Sequence, residues 1–336
     1  MSLRDELLRT AALAALQEPV CSYLARPRQG GADAGLDRQV AAVLEMQRRM
    51  KLPPLESMEP AKARRFAESG LSPLEVERVP MARVIETRLP VPARIFVPYD
   101  ASANWIVYFH GGGGVIGSAR SSEPITRLVA AQTGCTVASI DYRLGPEHKH
   151  PAAIEDARAA WDAVCARAPA GAKIAVAGDS FGGMLAACVD RYARPDASSA
   201  RRRAPDAQVL IYPITDFTMT SPGFDTHGVG YLYTRAMAAY FKSHYLHDSD
   251  DRRAASPASW PEVDRAAPAI VVTAGFDPLC PEGDAHADRL RAAGGRVVHR
   301  RYPSLVHGFL SLAGGVAAAR AAVDEVCADI VSILAS

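Results

Sequence analysis

The feature that most constrains this chain is an alternation. From Val76 onward, short runs rich in β-branched residues alternate with helix-like segments: ARVIETRL, ARIFVP, WIVYFH, CTVASIDY, KIAVAG, AQVLIYP, AIVVTAG and RVVHRRYP. Strands separated by helices pair through crossover connections. The pattern therefore predicts an α/β fold: a mostly parallel eight-stranded sheet flanked by helices, with the first strands antiparallel at one edge. In such a sheet the reacting groups gather beyond the carboxyl ends of the strands. Residues 1–75 carry only helical patterns, such as Val40, Val43, Leu44 and Met50 in DRQVAAVLEMQRRM, and predict a helical cap segment ahead of a core at 76–336. More than fifty residues separate the sixth and seventh strand runs, too many for a simple crossover. With the helix-like TRAMAAYFKSHYL among them, they predict an inserted lid at about 214–258.

Composition excludes more than it selects. The 38 basic and 37 acidic residues leave a formal net charge of +1, so no overall field favours nucleic acid or an anionic membrane. The basic stretch RYARPDASSARRRAP, 191–205, lacks interleaved aromatics and reads as a solvated connection. Apolar runs stop well short of the about 20 residues needed to cross a bilayer. The N-terminus MSLRDELLRTAALAALQEP sets Asp5 and Glu6 ahead of a short Ala/Leu run, which reads as an amphipathic helix and not as a secretory signal; a cytoplasmic protein is expected. Six cysteines without CxxC spacing fit free thiols in a reducing compartment, so neither a structural metal nor a disulfide framework is expected. Among the other histidines, His148 and His150 fall in a proline-bounded loop, and His244 and His247 stand i, i+3 on a lid helix; both pairs read as structural before they read as metal ligands.

Three motifs carry chemistry. In WIVYFHGGGGVIG a strand runs into His110 and four glycines, a backbone shaped to approach an anion. Gly112, Gly114 and Gly117 also satisfy G-x-G-x-x-G, with Asp141 closing the next strand, so an NAD-dependent oxidoreductase is one reading. Against it, Asp141 stands 29 residues on where about 20 is usual, and SARSSEP delays the helix that should start at the glycines. The second motif, GDSFG at 178–182, matches G-x-S-x-G between a strand and a helix, the setting of a nucleophile elbow. A serine hydroxyl needs a general base, and that base needs an acid partner that fixes its tautomer. In the order Ser, acid, His, Asp277 follows the seventh strand run and His307 the eighth, which puts both at the same sheet edge as Ser180.

Taken together, YFHGGGGVIGS, DYRLGPEHKHPAAIEDA, GDSFGG, DPLCPEG and HGF, spread over about 75–336, resemble the hormone-sensitive-lipase-like esterases of the α/β-hydrolase superfamily. The resemblance implies an α/β-hydrolase fold with a helical cap. It also implies a serine carboxylesterase acting on short- to medium-chain esters without a cofactor, with Ser180, Asp277 and His307 as its triad. Its oxyanion hole would be formed by the backbone N–H groups of Gly112, Gly113 and Phe181. His110 would brace the glycine loop, and Asp179 and Glu282 would play supporting parts, Glu282 either beside the triad or on the surface. Homodimerisation is common in that family. The alternative of another class is a catalytically silent ligand-binding protein on the same scaffold. One departure stands out: the family usually has alanine after the nucleophile, and Phe181 is expected to narrow the acyl pocket or to reposition the lid.

Overall fold

The computed structural model describes residues 3–25, 33–70, 72–194, 202–261 and 263–336. Part of the basic connection expected at 191–205, residues 195–201, lies outside them. Four helices precede the sheet: α1 (Leu3–Ala15), α2 (Val20–Leu24), α3 (Arg38–Met50) and α4 (Pro60–Gly70). The sheet begins with β1 (Arg83–Leu89), β2 (Val91–Val97) and β3 (Trp105–Phe109), followed by α5 (Glu123–Thr133), β4 (Thr136–Ile140), α6 (Ala152–Arg167), β5 (Ile174–Asp179) and α7 (Phe181–Ala193). After β6 (Ala207–Ile211) come α8 (Gly223–His227) and α9 (Arg235–Tyr245), the helices of the insertion expected as a lid. The chain then returns through β7 (Ala269–Phe276), α10 (Cys280–Ala292), β8 (Val297–Val306) and α11 (Ala317–Ala335).

The eight strands stand in the order β1-β2-β4-β3-β5-β6-β7-β8. β2 pairs antiparallel with both β1 and β4, and the remaining neighbours are parallel. Every residue of β4 and β6 is buried, the mark of strands covered on both faces. Alternation along β3 divides the core in two. Val107 and Phe109 join Trp161 of α6 and Leu185 of α7 on one face, and Ile106 and Tyr108 join Leu128 of α5 and Val326 of α11 on the other. The helices before β1 dock on this core. Asp37 caps α3 by accepting from the amides of Gln39 and Val40, while its own amide donates to the Ser304 carbonyl on β8.

Among the described residues, no helix is long and apolar enough to cross a membrane.

Candidate active site

Ser180 occupies the one-residue turn between β5 and α7, at φ 56° and ψ −116°. An L-residue adopts that conformation only under strain, and surrounding structure must hold it there. Two glycines make the turn sterically feasible. A Cβ on Gly178 would meet the backbone of Gly182, and a Cβ on Gly182 would fall onto the Phe109 carbonyl oxygen of the neighbouring strand. The Ser180 amide donates to the Ile211 carbonyl at 2.8 Å, tying the turn to the end of β6.

Asp277 directly follows β7 and His307 directly follows β8; the final strand runs further than its sequence pattern suggested, so no gap of several residues precedes the imidazole. His307 Nδ1 lies 2.7 Å from Asp277 Oδ2, and Nε2 lies 2.9 Å from Ser180 Oγ. A carboxylate can only accept, so Nδ1 carries the proton and Nε2 is left to accept from the serine hydroxyl. The other Asp277 oxygen accepts from the Leu279 amide at 2.8 Å, and the side chain has no exposure at all. Two aromatic rings flank the imidazole: Tyr233 from the lid, stacked at 4.4 Å, and Tyr212 from the end of β6, tilted at 4.7 Å. Neither tyrosine was singled out from sequence. For Tyr212 a signal existed, because it stands one residue beyond a strand at the edge where sites collect.

The glycine loop lies beside the serine. Gly112, Gly113 and Gly114 all have positive φ, at 113°, 63° and 73°. The Gly111 amide is taken by Asp179 Oδ1 at 3.0 Å, which also accepts from the Tyr108 hydroxyl at 2.7 Å. Gly112 and Gly113 line the cleft, and their amides bond to nothing among the described residues. Phe181, first in α7, presents an amide that has no partner within its helix. Two of these amides thus belong to residues that line the same cleft as Ser180, and the third to the residue that follows it in the chain. His110 braces the loop from behind: its Nδ1 is 2.7 Å from the Gly111 carbonyl, its ring stacks on Tyr142 at 4.3 Å, and the Tyr142 hydroxyl donates to the His110 carbonyl. Burial pushes the His110 pKa below its ordinary value, which keeps the ring neutral. Asp141 does not face a ribose site. Its carboxylate accepts from the Ala119 amide at 2.6 Å, inside the same loop.

A residue that sequence reasoning missed pins this loop from the cap. Arg64 of α4 donates to the carbonyls of Val115 and Gly145, both at 2.8 Å, and pairs with Glu147, whose carboxyl it draws down to about 2. Its targets are backbone atoms 51 and 81 positions away, so no local pattern could announce them.

The Phe181 ring separates the two alternatives expected of it, a narrower pocket or a repositioned lid. It is fully buried and absent from the cleft wall, packing instead on Tyr142 at 5.8 Å and edge-on against Tyr245 of α9 at 4.7 Å. It does not narrow the pocket; it props the lid helix against the elbow. The lid histidines also separate, since α9 ends at Tyr245 and leaves His247 beyond it. Among the described residues, no three His, Cys, Asp or Glu side chains form a metal-ligating group.

Glu282 is neither on the surface nor bonded to the triad. It is 8% exposed on α10, where Oε1 accepts from the amides of Thr215 and Asp216 at 2.8 and 3.1 Å and Oε2 has no partner among the described residues. Those two amides begin the lid. From the same helix, Arg289 donates to the carbonyls of Pro257 and Ala258 at the other end of the lid, and the Ala258 amide bonds to Thr215 O at 2.9 Å. Both stems of the insertion are therefore clasped by the helix that follows Asp277. Burial raises the Glu282 pKa to about 8. The native state then holds a proton that the unfolded chain releases near 4.3, so stability falls as pH rises from that value to about 8 and levels off above it. Glu282→Gln keeps an acceptor for both amides and cannot ionise. Denaturant unfolding at about pH 5.5 and about pH 8.5 should show wild type losing more stability than the variant over that interval; equal losses would refute the assignment.

The cleft over Ser180 has a volume of about 250 Å³. The lid contributes Leu232, Tyr233, Met237 and Phe241 to its wall, and the cap contributes Ala67, Glu68, Glu75 and Val76.

A family model described as alpha/beta hydrolase fold matches residues 106–311. The chain is 42% identical over 241 residues to the carboxylic ester hydrolase LipN of Mycobacterium tuberculosis, an alignment covering 68% of this chain and 64% of that protein. It is 36% identical to the esterase LipI of the same organism, over 73% of this chain and 81% of the relative. Among solved structures, an ester hydrolase from the Lake Arreo metagenome, complexed with a bipyridine phosphonate derivative, superposes with a TM-score of 0.83 at 31% identity, covering 90% of this chain and all (100%) of that one. The hyperthermophilic esterase of Pyrobaculum calidifontis gives 0.76 at 32% identity, over 87% of this chain and 98% of the other.

Proposed function

The chain belongs to the hormone-sensitive-lipase-like branch of the α/β-hydrolase superfamily, and from that premise we propose that it is a serine carboxylesterase for short- to medium-chain esters. The observation that carries this reading is the unbroken hydrogen-bonded line from Asp277 through His307 to Ser180, beside amides left without partners. In the proposed cycle His307 Nε2 takes the Ser180 proton as Oγ attacks the ester carbonyl. Asp277 stays ionised and stabilises the imidazolium. Negative charge gathering on the carbonyl oxygen is met by the amides of Gly112, Gly113 and Phe181. Each such donor accounts for roughly 3 to 4 kcal/mol of transition-state stabilisation in enzymes of this mechanism. The imidazolium then protonates the departing alcohol, and water activated by the same nitrogen hydrolyses the acyl-enzyme. The names of the relatives, a carboxylic ester hydrolase and an esterase, agree with this chemistry.

Chain-length preference follows from space. A cleft of about 250 Å³ lined by the Tyr233 and Phe241 rings suits an acyl chain of a few carbons better than a long one. Across p-nitrophenyl esters from acetate to laurate, kcat/KM should peak among the short and medium chains and fall for the longest. A fluorophosphonate should label Ser180, as located by peptide mass spectrometry. A protein that binds esters without being labelled would be a receptor, and an optimum at laurate would refute the chain-length claim.

A further inference from the structure

The side chains that build the cleft differ in kind according to the element that supplies them. Those from the lid are apolar or aromatic: Leu232, Tyr233, Met237 and Phe241. The cap and the strand ends supply carboxylates, Glu68, Glu75 and Asp179, and no lysine or arginine lines the cleft. Asp179 is occupied by Tyr108 and the Gly111 amide, whereas the carboxylates of Glu68 and Glu75 form no hydrogen bond or ion pair among the described residues. Two cations act on Glu75 without bonding to its carboxylate: burial raises its pKa by more than the charges of Arg78 and Arg9 draw it down. Arg9 is bound to the Glu75 carbonyl and to Glu77, and Arg78 is exposed outside the cleft wall. Partial burial raises the Glu75 pKa, the effect of a carboxylate drawn out of water with no cation bound to it.

A second observation in the same wall points to a polar ligand. Tyr212 lines the cleft, is 2% exposed, and its hydroxyl makes no hydrogen bond of ordinary geometry among the described residues, the Leu310 backbone being the polar group beside it. A cleft serving hydrocarbon chains alone would leave that buried hydroxyl unsatisfied in every complex, and buried polar groups are seldom left so.

Resting on the esterase reading above, we propose that the cleft selects its esters by charge: it favours substrates carrying a cationic amino group away from the scissile bond, drawn by Glu75 and Glu68 with the Tyr212 hydroxyl as a further acceptor, and it disfavours monoesters carrying a carboxylate. The lid then receives the apolar part of such a substrate, and the cap reads its charge. Two carboxylates with no cation bound to them, Glu75 half-buried and Glu68 exposed, repel an anion and attract a cation at ranges of several ångströms, a contrast on the order of threefold to tenfold per carboxylate for a charge held within the cleft.

Matched esters of nearly equal shape test this. One set places the charge in the acyl part: methyl 6-aminohexanoate, methyl heptanoate and monomethyl pimelate. The other places it in the alcohol part: acetylcholine and its uncharged carbon analogue 3,3-dimethylbutyl acetate. The readout in the first set is the ratio of kcat/KM for cation over anion within one protein, which a general loss of activity does not move. In the second it is cation over neutral. In at least one set the ratio should exceed one by about tenfold in wild type, fall roughly threefold to tenfold in Glu75→Gln, approach one in Glu68→Gln/Glu75→Gln, and shrink as salt is raised. Ratios at or below one in both sets, or a ratio that survives the double substitution, overturn the proposal while leaving the esterase intact. If methyl heptanoate and 3,3-dimethylbutyl acetate show no Ser180-dependent hydrolysis, the esterase reading falls and this inference with it.

Discussion

Replacing Ser180 by alanine is expected to lower kcat on a short p-nitrophenyl ester by about 10⁵- to 10⁶-fold, with unfolding behaviour unchanged within about half a kcal/mol. The size of the loss comes from the way the parts act together. In the proposed cycle, with the hydroxyl gone, His307 would have no proton to take and Asp277 no charge to stabilise, so all three contributions would vanish in one substitution. A residual rate above the uncatalysed reaction should persist, because the amides of Gly112, Gly113 and Phe181 remain in place to receive an oxyanion formed by attack of water. The fold should be indifferent, since Ser180 is held at its positive φ by neighbours and not by its own hydroxyl, which among the described residues bonds only to His307. Steady-state kinetics of the purified variant beside its thermal unfolding curve decides the matter. Turnover above about a tenth of wild type would remove Ser180 from the mechanism.

Gly182→Ala should cost the protein on the order of 4 kcal/mol or more, against the sign that helix propensity alone would suggest. Gly182 is the second residue of α7, and in an isolated helix alanine is about 1 kcal/mol the better residue. Here the added methyl would lie on the Phe109 carbonyl oxygen and against the His110 carbonyl, atoms of a backbone that cannot step aside without moving β3. Displacing the end of β3 also displaces His110 and the glycines that follow it, so activity should fall with stability. Guanidinium unfolding and kcat measured on the same preparation test both parts. A variant as stable as wild type would mean that the contact between β3 and the elbow relaxes at little cost.

The sheet was legible because its evidence is periodic and local: β-branched runs such as TVASI and AQVLI reveal buried strands wherever they occur. Ser180, Asp277 and His307 were legible for a related reason, each standing at or just past a strand end, where a parallel sheet delivers side chains to one edge. What stayed hidden depends on contacts between distant segments. Nothing near Arg64 tells that it will grip Val115 and Gly145, and nothing near Tyr233 tells that it will lie on His307. Phe181 shows the limit most plainly. The residue was conspicuous in sequence, but the direction of its ring depends on Tyr142 and Tyr245, which approach it from a loop and from the lid.

Because Glu282 and Arg289 fasten the two feet of the lid to α10, the span between those feet can change in length without moving its anchors, so long as Tyr233 stays on His307 and Tyr245 on Phe181. The entropy of closing a loop grows only with the logarithm of its length. Within residues 219–254 the segments that carry none of those rings are therefore where length and chemistry can vary, giving one serine many different roofs.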